Sequence, residues 1–275
     1  MTTVLRFFVA SMVVLLAPAI AAAGQLSLDG RLIQGGLVQG VTEPGSQVRF
    51  EGQRVRVSAQ GLFLVGFGRD DEGPFTLDVR HPDGTVTHRH IEIETREYRI
   101  QRIDGLPPKM VTPDPEALKR IRRENARIAE VRARDTPEPL FADGFLWPVA
   151  GPISGVYGSQ RILNGEPRRP HYGVDVAAPA GTPVKAPADG IVALAEPDLY
   201  YTGGTVMLDH GHGLTSVYSH MSAVTVTAGE RVKQGDMIGR VGATGRVTGA
   251  HLDWRVNWFR TRLDPQLLVP PMPGP

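Results

Sequence analysis

The sequence predicts a mainly β protein in which two strand-rich segments are joined by a single helix. Three observations carry this. Gly (32) and Pro (23) are plentiful in 275 residues and cut the chain into short runs, which suits sheets better than bundles. Apolar residues recur at helical spacing between Glu116 and Arg134. From Phe141 onward the texture changes to closely spaced Gly and Pro with short apolar runs between them. At 41% hydrophobic the chain can bury a substantial core, and its length favours two domains. A formal charge of +1 gives no reason to expect a nucleic-acid partner. With no Cys there are no disulfides, no lipid-modified Cys and no thiolate chemistry.

At the N-terminus, Arg6 precedes the apolar run Phe7 to Leu16 and the small residues Ala21 and Ala23. That layout predicts a signal peptide over residues 1–23, hence a periplasmic or secreted protein with no membrane span once it is removed.

Residues 24–108 form the expected accessory domain. Its β-prone runs are Arg31 to Ile33, Gln47 to Glu51, Val55 to Ser58, Phe63 to Phe67, Phe75 to Arg80 and Thr85 to Thr95. Turns such as Glu43-Pro44-Gly45 and Pro82-Asp83-Gly84 separate them, and the spacing predicts a small β-sandwich of immunoglobulin-like type. His88, His90, Glu92 and Glu94 alternate along one strand, which reads as a solvated polar face rather than a metal site.

Residues 109–139 form a linker with a helix. Asp114 is placed as N-cap, Pro115 as first helical residue and Glu116 as first-turn acid. From Glu116 to Arg134 there are seven basic and three acidic residues. The expected outcome is an amphipathic connector with a wet basic face; that face, or the first domain, is also where an envelope protein partner would bind.

Residues 140–270 form the second domain, with 271–275 as a tail. Strands are expected over Val184 to Ala186, Gly190 to Ala195, Thr205 to His210, Leu214 to His220, Met237 to Val241 and His251 to Trp258, and another begins at Val174. A period of two puts His251, Asp253 and Arg255 on one face, and places Tyr218 with His220. His171, Asp175, His220, His251 and Asp253 thus form a set of imidazoles and carboxylates carried by β-structure. Such a set supplies what hydrolytic zinc chemistry needs: about three N or O ligands, and nearby groups to manage a proton and an oxyanion. His81, His210 and His212 read as structural.

His171-Tyr172-Gly173-Val174-Asp175, Leu208-Asp209-His210-Gly211, Tyr218-Ser219-His220-Met221 and Gly249-Ala250-His251-Leu252-Asp253, in this order, resemble the lysostaphin-type (LytM/M23 family) metallopeptidases. The likeness covers roughly Trp147 to Pro265. It implies an antiparallel β-sheet peptidase domain that holds Zn²⁺ and hydrolyses peptide cross-links of bacterial peptidoglycan, in cell-wall remodelling or cell separation. Carried over by position, His171 and Asp175 are metal ligands and His220 and His251 are catalytic. The third ligand of the family is the second His of a His-x-His motif; Asp253 stands there. An Asp oxygen lies as far beyond Cβ as His Nδ1 does, so Asp253 can reach a metal that the family ligand binds through Nδ1. Two carboxylates neutralise Zn²⁺ formally, which predicts a less acidified bound water. The alternative is a catalytically degenerate LytM-like domain that regulates a wall amidase or scaffolds a division complex. The loop Asp198 to Gly203 and the segment Arg161 to Arg169 are expected to line the cleft.

Overall fold

Runs of two to ten residues bounded by Gly, Pro and Asp are too short for stable helices, but they pair readily as strands, and pairing decides this fold. The computed structural model describes residues 26–103, 114–163 and 165–272. The signal peptide over 1–23 and the boundary at Leu106 to Pro108 lie outside them.

The first segment holds β1 (Ser27–Gly30), β2 (Leu37–Val41), β3 (Gln47–Phe50), β4 (Gln53–Val55), β5 (Leu62–Gly66), β6 (Phe75–Arg80) and β7 (Val86–Ile91). They form two antiparallel sheets, β1-β2-β5 and β4-β3-β6-β7. The strand expected at Arg31 to Ile33 is only an isolated bridge from Ile33 to Glu94. β2 was not expected, because Gly40 interrupts its apolar pattern. Gly40 is there for Phe63, whose ring would lie 2.0 Å from any Cβ at that position. His88 and His90 are exposed, and His88 Nδ1 is 2.7 Å from Asp78 Oδ1, in keeping with a polar outer face.

β8 (Ile100–Ile103) leaves this segment, and α1 (Pro115–Arg132) follows with Asp114 as its N-cap, whose carboxylate accepts from Ala117 N at 2.8 Å. The helix is not a free connector. Val131 and Ile128 pack on Leu194, Leu199, Met207 and Val217 of the second segment. The expectation of a wet basic face is also corrected in part: Arg120 pairs with Glu124 (2.6 Å) and Asp198 (3.0 Å), and Arg127 pairs with Glu196. Acidic residues of the facing strand tie these two arginines to the sheet, although both keep part of their surface in solvent. No described helix is long and apolar enough to cross a membrane.

The second segment contributes β9 (Ile153–Gly155), β10 (Gln160–Leu163), β11 (Glu166–Pro167), β12 (Val174–Ala177), β13 (Pro183–Lys185), β14 (Gly190–Leu199) and β15 (Gly203–Gly211). It continues with β16 (Leu214–Met221), β17 (Ala223–Val224), β18 (Arg231–Val232), β19 (Met237–Arg240), β20 (His251–Trp258) and β21 (Thr261–Leu263). Its main sheet has eight strands in the order β18-β14-β15-β16-β20-β12-β9, with β21 paired to β20. β8 pairs in parallel with β10, and β13-β19-β17 form a small separate sheet.

Cross-strand register sets the rows on the main sheet. Leu194, Met207, Val217 and Arg255 stand side by side, and two residues further along β16 and β20 comes the row Ser219, Asp253, Asp175, Gly155. Because side chains alternate, both rows point to the same face, and α1 packs on that face. The opposite face carries Val192, Leu208, Tyr218, Leu252, Trp254 and Val256 into the main core, which is continuous with the core of the first segment. Phe50 meets Trp258 edge-on at 6.1 Å, and Arg96 Nη1 reaches the buried Asp264 Oδ2 at 2.8 Å.

Candidate metal centre

β12 and β20 lie antiparallel with Asp175 opposite Asp253, so their side chains emerge next to each other on the same face. His171 sits in the loop before β12. Its N–H donates to Ser159 O and its carbonyl accepts from Gly158 N, both at 2.8 Å, which ties the loop to the turn after β9. One donor atom each from His171, Asp175 and Asp253 falls within 4.8 Å of the others, and this is the one such group among the described residues.

Two features fit this trio to a cation. His171 Nε2 and Asp175 Oδ1 are buried, 3.2 Å apart, and neither has a hydrogen-bond partner. The walls are also cut back. A Cβ on Gly155 would come 2.1 Å from Asp175 Oδ2, and one on Gly173 would come 2.9 Å from Asp253 Oδ1. One imidazole and two carboxylates, with two partnerless atoms aimed inward, make a donor set suited to Zn²⁺.

The two other histidines flank the trio. The strand alternation expected for β16 would have sent His220 into the core beside Tyr218. Its φ of 68° breaks the alternation, and His220 Nε2 stands 4.0 Å from Asp253 Oδ2 while Tyr218 stays buried. His220 Nδ1 donates to Thr244 O at 2.9 Å, and His251 Nδ1 donates to Gly249 O at 2.9 Å. Both rings therefore turn a bare Nε2 toward the centre, with centroids 4.9 Å apart, and His251 Nε2 is 3.8 Å from Asp175 Oδ1. Burial lowers the pKa of His220 below its ordinary value, against the opposing hydrogen bond to Thr244 and the charge of Asp253.

Arg255 is the residue whose role the sequence did not disclose. Its Nε donates to Asp253 Oδ1 at 2.9 Å and Oδ2 at 3.0 Å, and its Nη2 also reaches Oδ2. Burial pushes the Asp253 carboxyl up, but the charge and hydrogen bonds of Arg255 outweigh it and hold the group below the ordinary carboxylate value.

More arginines gather on this face. Arg132 follows Val131 at the end of α1, and Arg262 stands opposite Asn257, two residues from Arg255. Arg169 lies over Tyr172 at 5.6 Å, and Tyr172 faces Tyr157 at 6.4 Å. Burial and the charges of Arg262, Arg255 and Arg169 push Arg132 down to about 9; burial and Arg169 push Arg262 down to about 10. Among the described residues, none of Arg132, Arg169 and Arg262 has a carboxylate partner, and Arg132 Nε is buried without a hydrogen bond. Nothing in the helical pattern of α1 could have announced that Arg132 turns toward the site.

The loop Asp198 to Gly203, expected at the cleft, is occupied by the helix: Glu124 Oε2 accepts from Tyr200 N at 2.9 Å. The helix leaves the centre open, since the side chains of His171, Asp175 and His251 are 19%, 23% and 19% exposed. His210 is structural as expected, donating from Nδ1 to Asp189 O and accepting at Nε2 from Ser216 Oγ.

Residues 169–265 match the model of Peptidase family M23. The chain is 32% identical to a peptidase M23 crystal structure from Pseudomonas aeruginosa, with a TM-score of 0.68 over 86% of this chain and 95% of that one. It is 34% identical over 152 residues to the cell division protein DipM of Caulobacter vibrioides, covering 52% of this chain and 24% of DipM. It is 41% identical over 87 residues to the peptidoglycan DD-endopeptidase ShyA of Vibrio cholerae, covering 32% of this chain and 20% of ShyA. The chain thus spans about a quarter or less of the length of these curated relatives.

Proposed function

This chain belongs to peptidase family M23, and on that premise we propose that it is a periplasmic or secreted zinc endopeptidase that hydrolyses peptide cross-links of bacterial peptidoglycan. The observation that carries the reading is the convergence of the partnerless His171 Nε2 and Asp175 Oδ1 with Asp253, beneath two imidazoles that each present a bare Nε2. The peptidoglycan DD-endopeptidase among its relatives supports the substrate class.

His171, Asp175 and Asp253 hold the metal. A bound Zn²⁺ supplies Lewis acidity for the scissile carbonyl and for the attacking water. His220 accepts the proton of that water at Nε2: its Nδ1 is committed to Thr244, and its lowered pKa keeps it neutral at physiological pH. His251, whose Nε2 also faces the centre, would stabilise the developing oxyanion. Arg132, Arg169 and Arg262 receive carboxylates of the anionic peptide, since guanidinium groups crowded together without acidic partners attract an anion.

A degenerate, regulatory domain is the weaker reading, because the five site residues remain together. The test is bound metal in the purified protein, followed by digestion of purified sacculi by wild type, His171→Ala and Asp253→Ala. Wild type should release cleaved muropeptides, and both variants should lose at least about a hundredfold of that rate. A protein that releases no products under any divalent metal supplement would overturn the enzyme reading.

A further inference from the structure

We infer that Arg255 is the charge counterpart that allows an aspartate, in place of a neutral donor, to serve as the third metal ligand. The inference rests on the metal-holding role given above to His171, Asp175 and Asp253.

Formal charge is the first argument. Asp175 and Asp253 bring two negative charges to a divalent ion, whereas a set of two imidazoles and one carboxylate brings one. The guanidinium of Arg255, bonded to both oxygens of Asp253, takes the total back to one negative charge. The pair Asp253–Arg255 is thus, as a unit, electrically equivalent to a neutral ligand.

Geometry is the second. A carboxylate has about four lone-pair directions, and the three N–H contacts from Arg255 leave one free for a cation. Asp253 Oδ2 accepts from Arg255 Nε at 3.0 Å and stands 4.0 Å from His220 Nε2, and one Asp253 oxygen lies within 4.8 Å of donor atoms of His171 and Asp175, so the carboxylate can bridge a cation and a guanidinium.

Position is the third. Arg255 is not needed to hold Asp253 in place, because β20 is an inner strand. The backbone of Asp253 is paired with Ser219 of β16 and Asp175 of β12, and Gly173 abuts its Oδ1. Removing the guanidinium should therefore leave the carboxylate where it is, buried and uncompensated, with the cation as its remaining positive partner.

This reverses what a purely structural ion pair predicts. A prop that is removed loosens the ligand and weakens metal binding. A competing positive charge that is removed strengthens it, and it destabilises the metal-free protein at the same time.

The experiment measures Zn²⁺ affinity by chelator competition at neutral pH, with Co²⁺ absorption as a check on coordination, and thermal midpoints with and without metal. Wild type, Arg255→Gln, Arg255→Lys and Asp253→Asn are compared. Arg255→Gln should bind Zn²⁺ about tenfold tighter or more, and its metal-free form should melt below wild type, with Zn²⁺ closing most of the gap. Arg255→Lys retains the charge and should stay close to wild type in both. Asp253→Asn should bind at least about tenfold more weakly than wild type. If wild type binds Zn²⁺ and Asp253→Asn weakens it, but Arg255→Gln binds no tighter than wild type, the inference about Arg255 is overturned while the metal-holding role survives. A wild type that binds no Zn²⁺ overturns both.

Discussion

Asp175 shows how a site is built from what its neighbours omit. Its carboxylate lies against Gly155 on β9, where a methyl group would come within 2.1 Å of Oδ2 and 3.1 Å of Cβ. The conflict involves a side chain held on a paired strand, so it is relieved by moving the carboxylate away from His171. Gly155→Ala should therefore fold, by circular dichroism, yet lose about ten- to a hundredfold in Zn²⁺ affinity, the scale seen when groups that orient a metal ligand are altered. Full retention of affinity would show that Asp175 has room to spare. His171, Asp175, His220, His251 and Asp253 could all be nominated from the sequence, because each stands in a short motif that is read locally. Gly155 was not: nothing in Ser154-Gly155-Val156 tells that the opposing strand presents a carboxylate.

At the scale of elements, β15 threads a histidine through the core. His210 is fully buried, and burial lowers its pKa from 6.5 to about 4 against the hydrogen bond to Asp189. Between those values the unfolded chain binds a proton that the native chain refuses. Stability is therefore undiminished above pH 6.5 and falls as the pH drops toward 4, by about 3 kcal/mol for this residue alone. Urea denaturation at neutral pH and near the lower limit should show that loss, and His210→Gln should show a correspondingly flatter dependence. An equal pH dependence in the variant would assign the loss to other groups. For α1, the sequence marked its start at Asp114 and Pro115 and its amphipathic spacing. It did not mark its destination, since Val131 and Ile128 could have covered any apolar surface.

Across the whole molecule, the two strand-rich segments share a continuous core, joined where Phe50 meets Trp258 and where Leu263 approaches Gly66. Arg96 and Asp264 lock that junction: the carboxyl of Asp264 is 2% exposed, and Arg96 is its ion-pair partner. Arg96→Met would leave the acid buried without a counter-charge, at a cost of about 2–3 kcal/mol, less than for a fully buried pair because Arg96 is 25% exposed. Calorimetry should show one transition at a lower midpoint, since unfolding either segment strips apolar cover from the other. A first segment that melts separately while the second keeps its midpoint would contradict this coupling.

The sequence by itself determined the β class, the capped helix and most strands of the second segment, and it nominated the five candidate residues of the site. These follow from periodicity, turn chemistry and motif spacing, which act over a few residues. Tertiary structure decided what depends on pairing across the chain: the parallel meeting of β8 with β10, the docking of α1 on the site face, and the left-handed turn that brings His220 to Asp253. It also decided the bond from Arg255 to Asp253. Two side chains on one strand face are neighbours by periodicity, but whether the guanidinium turns to the carboxylate depends on what else surrounds it. Here burial by the flanking strands leaves two carboxylates as its counter-charges, Asp253, which it bonds, and Asp175 beside it.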